Sequence, residues 1–131
     1  MNYQDQVVVL TGASGGIGSA MAKKFTDLGA KVALLDITVD RVQALADKLG
    51  LGSDRAFCAA VDVSNEESVK ATVDAIVKHF GRIDVLVNAA GIPGPSARVE
   101  DYSFSDAKKV LSVNLFGTFL MMHTVLPVMQ A

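Results

Sequence analysis

Thr11-Gly12-Ala13-Ser14-Gly15-Gly16-Ile17-Gly18 is the stretch that decides the fold of this 131-residue chain. It follows an apolar run at residues 7–10 and precedes apolar residues at helical spacing. This pattern predicts a buried strand, a glycine-rich turn and a helix. Backbone N–H groups at a helix N-terminus lack intrahelical partners, and glycines let that backbone approach a phosphate closely. The stretch therefore predicts a site for the phosphates of a nucleotide cofactor.

The same alternation of strand and helix continues along the chain. We expect strands at residues 7–10, 32–35, 56–61 and 83–87. A capping box formed by Ser64 and Glu67 is expected to begin the third helix. The alternation predicts an α/β, Rossmann-type doubly wound parallel sheet in the order 3-2-1-4, with a ligand crevice between strands 1 and 4. The first helix is expected to bury an apolar face made of Ile17, Ala20, Met21, Phe25 and Leu28.

The glycine turn has the form T-G-x-x-x-G-x-G. It is not a P-loop, because Gly18 is followed by Ser19 rather than by lysine. It also differs from G-x-G-x-x-G, because position 14 is serine. The alternative is a tight turn that needs glycine for its geometry alone. The cofactor-binding residues predicted in this turn are Gly12, Ser14, Gly15, Gly16, Ile17 and Gly18.

Asp36 ends the second predicted strand. In dinucleotide sites, an acidic residue near this place accepts hydrogen bonds from the adenosine ribose hydroxyls and repels a 2′-phosphate. Because residues 11–18 contain no arginine or lysine, the sequence favours NAD over NADP. The alternatives are that Asp36 caps the next helix together with Thr38, and that Arg41 pairs with it or is simply solvated.

Asp62 and Val63 follow the third predicted strand. There a carboxylate can accept a hydrogen bond from an adenine amino group, helped by the Val63 backbone. Capping of the next helix is a rival interpretation of Asp62.

Composition excludes several classes of function. The formal net charge of −2 gives no basic surface for nucleic acid. Cys58 is the only cysteine, so neither a disulfide framework nor a multi-cysteine metal site is available, and we predict no metal and a cytoplasmic location. Cys58 itself is expected to be a small buried core residue. Residues 110–129 are long enough to span a bilayer, but polar residues and Pro127 favour a mostly buried helix over a membrane span.

Four motifs in order resemble the short-chain dehydrogenase/reductase family across essentially the whole chain: residues 11–18, Asp36, Asp62-Val63 and Asn88-Ala89-Ala90-Gly91. Asn114 matches a family asparagine in the following helix. The resemblance implies an NAD-dependent oxidoreductase that interconverts alcohols and ketones, with Asn88, Ala89, Ala90 and Gly91 lining the cofactor site. The resemblance also implies a catalytic role for Asn114, which would kink its helix and hold a water molecule of a proton relay. On its own, Asn114 is equally a satisfied polar residue inside a buried helix.

The chain departs from the family in its catalytic residues. The family uses a serine and a Tyr-x-x-x-Lys, but Tyr3 and Tyr102 are followed four residues later by Val7 and Asp106. We therefore expect residues 1–131 to be an NAD(P)-binding domain that is incomplete on its carboxyl-terminal side, and to be inactive alone. The alternatives are an inactive NAD-binding module or fragment that needs a partner and, more weakly, a nucleotide-dependent transferase on the same fold.

Incompleteness has physical consequences that the sequence already predicts. Strand 4 would be an unpaired apolar edge, and the last helix would keep apolar faces uncovered. We expect self-association through one of these surfaces, and hence a homo-oligomer. The remaining predicted partner is a small alcohol or ketone substrate of the full-length form, with no membrane involved.

Overall fold

The computed structural model describes residues 2–131. Its centre is a parallel four-stranded sheet in the order β3-β2-β1-β4, which confirms the predicted fold. The strands are β1 (Val7–Thr11), β2 (Lys31–Asp36), β3 (Ala56–Ala60) and β4 (Val85–Asn88). Since β1 pairs with both β2 and β4, the chain reverses its winding direction at β1, and the ends of β1 and β4 face a common crevice.

Helices cover both faces of the sheet. They are α1 (Gly16–Asp27), α2 (Val39–Lys48), α3 (Glu66–Phe80), α4 (Phe104–Leu111) and α5 (Gly117–Gln130). A π-helical turn, Ser112–Phe116, joins α4 to α5, and a short 3₁₀ turn, Val99–Asp101, precedes α4.

Alternate residues of β1 build two separate cores. Val8 and Leu10 pack in one cluster with residues of α1 and α2, whereas Val7 and Val9 pack in the other with residues of α3 and α5. Successive side chains of a strand point to opposite faces, so one apolar run serves both layers. The β1 run is therefore buried on both faces, as a central parallel strand requires.

The buried face of α1 differs from the prediction. Ile17 is 76% exposed and Ala20 is also exposed, whereas Gly18, Ala22 and Thr26 are buried. A Cβ on Gly18 would overlap the carbonyl oxygen of Gly12, so close contact with the turn sets the rotation of the helix. The apolar spacing alone does not reveal this constraint.

The predicted capping box at the start of α3 is wrong. Asn65 is the N-cap, and its side-chain oxygen accepts a hydrogen bond from the Ser68 N–H at 2.8 Å. The Ser64 hydroxyl instead donates to the Asp62 carboxylate at 2.6 Å. At its other end, α3 is stopped by Gly81, which has a φ of 80°.

The prediction of a mostly buried last helix is also wrong for this chain. Gly117, Met121 and Val125 are the buried residues of α5, while six large apolar side chains between Leu111 and Leu126 are at least half exposed. The helical run Phe104–Gln130 contains an 18-residue window of mean hydropathy 1.5 and is long and apolar enough to cross a membrane, which by itself is weak evidence for a membrane span. The exposed side chains are Leu111, Leu115, Phe116, Phe119, Met122 and Leu126.

Cys58 is half-buried rather than fully buried, because β3 is an edge of the sheet. Its thiol donates a weak hydrogen bond to the Val42 carbonyl oxygen at 3.6 Å, and burial raises the pKa of the thiol. The residue acts as a small packing group on the outer strand.

Candidate functional site

The turn after β1 is closed by contacts that only glycine permits. Gly12 has a φ of 62°, and its backbone lies so close to the next strand loop that a Cβ would be 2.5 Å from the Ala89 carbonyl oxygen. The Gly15 N–H donates to the Gly12 carbonyl at 3.1 Å, and the Ala13 N–H donates to the Leu35 carbonyl at 3.0 Å. These bonds position the N-terminus of α1 at the carboxyl end of β1.

Thr11 joins the turn to the segment after β4. Its side chain is buried, and its Oγ1 accepts hydrogen bonds from the Ala89 N–H at 3.2 Å and the Ala90 N–H at 3.1 Å. The predicted site residues did not include Thr11. The available signal was a polar residue at the end of a strand that is otherwise apolar and buried on both faces.

Asp36 bonds to the glycine turn. One carboxylate oxygen accepts both the Ser14 N–H, at 3.1 Å, and the Ser14 hydroxyl, while the other accepts the Ile37 N–H at 2.8 Å. Partial burial opposes ionisation, but these hydrogen bonds and the charge of Arg41 outweigh it and lower the pKa of Asp36. The carboxylate is thus ionised at neutral pH.

Neither alternative interpretation of Asp36 describes its main contacts. Thr38 is the N-cap of α2 but forms no side-chain capping bond, and Asp36 bonds to Ser14 and Ile37 instead. Among residues 2–131, Arg41 forms no ion pair with Asp36 within 4.0 Å, although its charge favours the carboxylate.

Asp62 shapes the approach to α3. Its Oδ1 accepts hydrogen bonds from the N–H and the hydroxyl of Ser64, and its carbonyl oxygen accepts the Asn65 N–H at 3.0 Å. Within residues 2–131, no hydrogen bond engages its Oδ2. Asp62 therefore organises the residues before the helix without being the cap, and it still has an oxygen to offer a ligand.

Asn114 lies in the π-helical turn and binds the loop after β4. Its Oδ1 accepts the Ile92 N–H at 2.8 Å, and its Nδ2 donates to the Ile92 carbonyl at 2.9 Å. The side chain is exposed, so the interpretation of a polar residue inside a buried helix does not hold. The geometry makes Asn114 a clamp between the interrupted helix and the edge of the crevice.

These segments surround a cleft of about 600 Å³. The predicted site residues that line it are Gly12, Ser14, Gly15, Asp36, Asp62, Val63, Ala89, Ala90 and Gly91. The remaining predicted residues, Gly16, Ile17, Gly18, Asn88 and Asn114, are not among its lining residues. The lining residues that the sequence interpretation did not predict are Ile37, Arg41, Val61, Ser64, Ile92, Lys109, Ser112 and Val113.

The N-terminus of α1 has donors suited to an anion, and Gly15, which directly precedes it, lines the cleft. The first N–H groups of α1 lack intrahelical partners, and the first turn of this helix contains no acidic residue. Gly12 and Gly18 leave no space for side chains, so the backbone itself forms the wall. In residues 2–131, no cluster of three or more histidine, cysteine or acidic side chains is arranged to hold a metal.

Comparisons with known proteins agree with this architecture. D-threitol dehydrogenase from Mycolicibacterium smegmatis is 43% identical over 122 residues, covering 92% of this chain and 46% of that protein. The crystal structure of levodione reductase matches with a TM-score of 0.91 and 36% identity, covering 97% of this chain and 50% of that one. NAD⁺-bound xylitol dehydrogenase matches with a TM-score of 0.89 and 35% identity, covering 98% of this chain and 49% of that one.

The chain spans about half the length of the curated relatives that it matches. A family model described as short chain dehydrogenase matches residues 6–131, which is nearly all of the sequence. The glycine turn, the acidic end of β2 and the clamp on the β4 loop thus occur together in a chain that belongs to the short chain dehydrogenase family.

Proposed function

We propose that this chain supplies the dinucleotide site of an NAD-dependent oxidoreductase that interconverts an alcohol and a ketone. The observation that carries the proposal is the position of the ionised Asp36 beside the glycine turn, on one wall of the cleft. The two glycines without room for a Cβ bring backbone donors against the space where a pyrophosphate would lie. Relatives bound to NAD add support.

The contacts of the cleft residues support the roles that we assign to them. Asp36 would accept the adenosine ribose hydroxyls, and the Asp62 carboxylate with the Val63 backbone would face the adenine. The segment from Asn88 to Gly91 would line the nicotinamide ribose, held in place by Thr11. A nicotinamide bound there supplies a hydride acceptor or donor, and the protein supplies orientation and exclusion of water.

Catalysis needs more than this cleft. We infer from the resemblance to the short chain dehydrogenase family that Asn114 contributes to a proton relay. In this chain its side chain joins the π-helical turn to the loop beside the cleft. The serine and the Tyr-x-x-x-Lys of the family do not occur in these 131 residues, so we expect no turnover by them alone. NADH formation by purified protein of this mass, free of longer species by mass spectrometry, would refute that expectation.

Binding is the direct test of the site. We expect calorimetry to detect NAD⁺ at micromolar concentrations, and Asp36→Ala to weaken that affinity by about tenfold or more, since a charged hydrogen-bond acceptor is lost. Asp40→Ala removes an equal charge from the exposed start of α2 and is the matched control. Equal effects of the two variants would contradict the assigned role of Asp36.

A binding module is the second candidate function. It is favoured by a cleft assembled from residues of this chain, without the catalytic tyrosine and lysine. Tight NAD⁺ binding by a stable chain without turnover supports it, whereas failure to bind supports a half-site that needs a partner.

We further propose a cytoplasmic homo-oligomer, for which the exposed apolar side chains of α5 and the unpaired edge of β4 are the candidate contacts. In the whole protein, its substrate would be a small alcohol or ketone. Light scattering that shows a monomer at high concentration would exclude the oligomer.

A further inference from the structure

A second pocket lies at the opposite end of the sheet from the cleft, where β2 and β3 begin. Its volume is about 400 Å³, and its walls come from the segment before β1, the start of β2 and the turn before β3. The lining residues are Gln4, Asp5, Gly29, Lys31, Asp54 and Arg55. None of them lines the dinucleotide cleft, so the two pockets are separate.

Two cations stand side by side at this second pocket. The register of β2 and β3 pairs Val32 with Ala56, and Lys31 and Arg55 directly precede that pair on the two adjacent strands. Like charges on neighbouring strands repel each other unless an anion compensates them. Within residues 2–131, neither side chain forms an ion pair within 4.0 Å. The described chain therefore leaves both positive charges without a close counter-charge.

The Arg55 guanidinium is already held in one orientation. Its Nη2 donates hydrogen bonds to the carbonyl oxygens of Thr26 and Ala30, both at 2.9 Å. A guanidinium has five N–H donors, so those on Nε and Nη1 remain for a ligand. A side chain whose orientation is fixed in advance loses less conformational entropy when a ligand binds.

Two carboxylates line the same pocket from separate turns. Asp5 has a φ of 62°, and its N–H donates to the Gly29 carbonyl at 3.1 Å. Asp54 lies in a turn that is closed by a hydrogen bond from the Arg55 N–H to the Gly52 carbonyl at 3.0 Å. In the part of the chain that the structure describes, neither carboxylate accepts a hydrogen bond or forms an ion pair within 4.0 Å. The pocket thus has two charges of each sign and no close pair among them.

We propose that this pocket binds a small zwitterion of the free amino acid class, with its carboxylate against Lys31 and Arg55 and its ammonium against Asp5 and Asp54. A simple anion would also meet the two aspartates, and a simple cation would also meet the two basic residues. A ligand with both charges compensates all four. Pockets of a few hundred Å³ are typical of small-molecule sites. The site does not depend on the proposed dinucleotide-binding function.

Titrations of the chain followed by NMR test the proposal. Glycine and 4-aminobutyrate are zwitterions of two lengths, whereas acetate and methylamine each carry a single charge. We expect at least one zwitterion to shift the amide signals of Gly29 and Arg55 with a dissociation constant of about 1 mM. The signals of Gly12 and Gly15, in the dinucleotide cleft, should not move. Acetate and methylamine should bind about tenfold more weakly, because each lacks one set of charge-assisted hydrogen bonds.

Two variants remove one charge each and keep the size of the side chain. Lys31→Gln should weaken the zwitterion about tenfold without weakening methylamine, and Asp54→Asn should weaken it about tenfold without weakening acetate. Neither side chain forms a hydrogen bond within residues 2–131, so urea denaturation should show unchanged stability. Lys70→Gln and Asp74→Asn remove the same charges from the exposed face of α3 and should change no affinity.

Three outcomes would overturn the proposal. The first is that neither zwitterion shifts the Gly29 and Arg55 signals at concentrations up to about 20 mM. The second is that acetate or methylamine binds as tightly as the zwitterions. The third is that the two α3 variants weaken the zwitterion as much as the two pocket variants do.

Discussion

Helix α3 and the helical run from Phe104 to Gln130 are both rich in apolar residues, yet the structure uses them differently. In α3, Val69, Val73 and Ile76 are at most 1% exposed. In the later run, Leu115 and Phe119 are 57% and 59% exposed, and only a narrow stripe of α5 is buried. Helices α3 and α5 nevertheless pack against each other and share one core.

The difference lies in how much of each helix's apolar surface is packed against neighbouring elements. Helix α3 has an asparagine cap, a glycine stop and one apolar face directed at the sheet. The later run is apolar on several sides, and the sheet covers only one of them. A helix that is apolar all round needs cover from more than one neighbour. Apolar residues at helical spacing therefore predict that a helix forms, whereas their distribution around the helix axis predicts how much of its surface must be covered.

The largest expected effect tests this contrast directly. Ile76→Ala should reduce the free energy of unfolding by about 2–5 kcal/mol, because it empties a fully buried site. Leu115→Ala is the matched change on the later run and should cost less than about 0.5 kcal/mol, because the side chain is exposed. Urea denaturation of both variants measures the difference. A large cost at Leu115 would mean that another surface covers it in solution.

A second contrast lies within the glycine turn. Gly12→Ala should destabilise the chain by about 2–4 kcal/mol, since its left-handed φ and its contact with the Ala89 carbonyl both oppose a Cβ. Gly16→Ala is the control, because a Cβ there meets nothing within 4 Å, and it should change stability by about 1 kcal/mol or less. Denaturation curves provide the comparison. Similar losses at the two positions would show that the turn relaxes around the added methyl group.

Asn114 links the exposed helical run Phe104–Gln130 to the loop after β4. Replacing it tests whether this contact holds the loop in place. Asn114→Ala removes two hydrogen bonds to Ile92 and should cost about 1–2 kcal/mol. Hydrogen exchange should accelerate at the Ile92 amide, while amides of α3 remain protected. Unchanged exchange at Ile92 would mean that the loop after β4 is held without this side chain.

The smallest effect concerns the start of the edge strand. Hydrogen bonds from the Arg82 guanidinium, and one from the Val7 N–H, lower the pKa of Asp84 below its ordinary value of 3.8 despite partial burial. A lowered folded-state pKa stabilises the chain above that ordinary value, and the stabilisation is lost as the pH falls through the folded-state pKa. Asp84→Asn should therefore cost about 1 kcal/mol at pH 7 and progressively less in acid.

Urea denaturation between pH 7 and pH 3 measures this convergence. Asp74→Asn, on the exposed face of α3, controls for the loss of a charge. A constant difference between Asp84→Asn and the unmodified chain across this range would exclude the ionic contribution.

The order of the strands was predictable because each strand is an apolar run and parallel crossovers allow few arrangements. The position of the glycine turn was predictable because the turn directly follows the first apolar run. The rotation of α1 was not, because it depends on the close approach of Gly18 to Gly12 rather than on apolar spacing. The cap of α3 was missed because Ser64 bonds to Asp62 in preference to the helix.

Contacts between distant segments were the least predictable part of the cleft. Arg41 and Lys109 are separated by about half of the chain, and only the folded sheet brings them to one cleft. The bonds from Thr11 to the Ala89 and Ala90 amides likewise join segments that only strand pairing places together. Local pattern identifies the motif residues, whereas packing decides which other side chains join them.

The π-helical turn at Ser112–Phe116 also sets the phase of the chain that follows it. Each residue of an α-helix advances the side chains by about 100° around the axis, and a π turn accommodates one residue beyond the regular count. Removing one residue from this turn would rotate α5 by about that angle relative to α4. Met121 and Val125 would then leave the sheet, and an exposed neighbour such as Met122 would turn inward. The length of this turn, more than its composition, decides which side of the last helix meets the core.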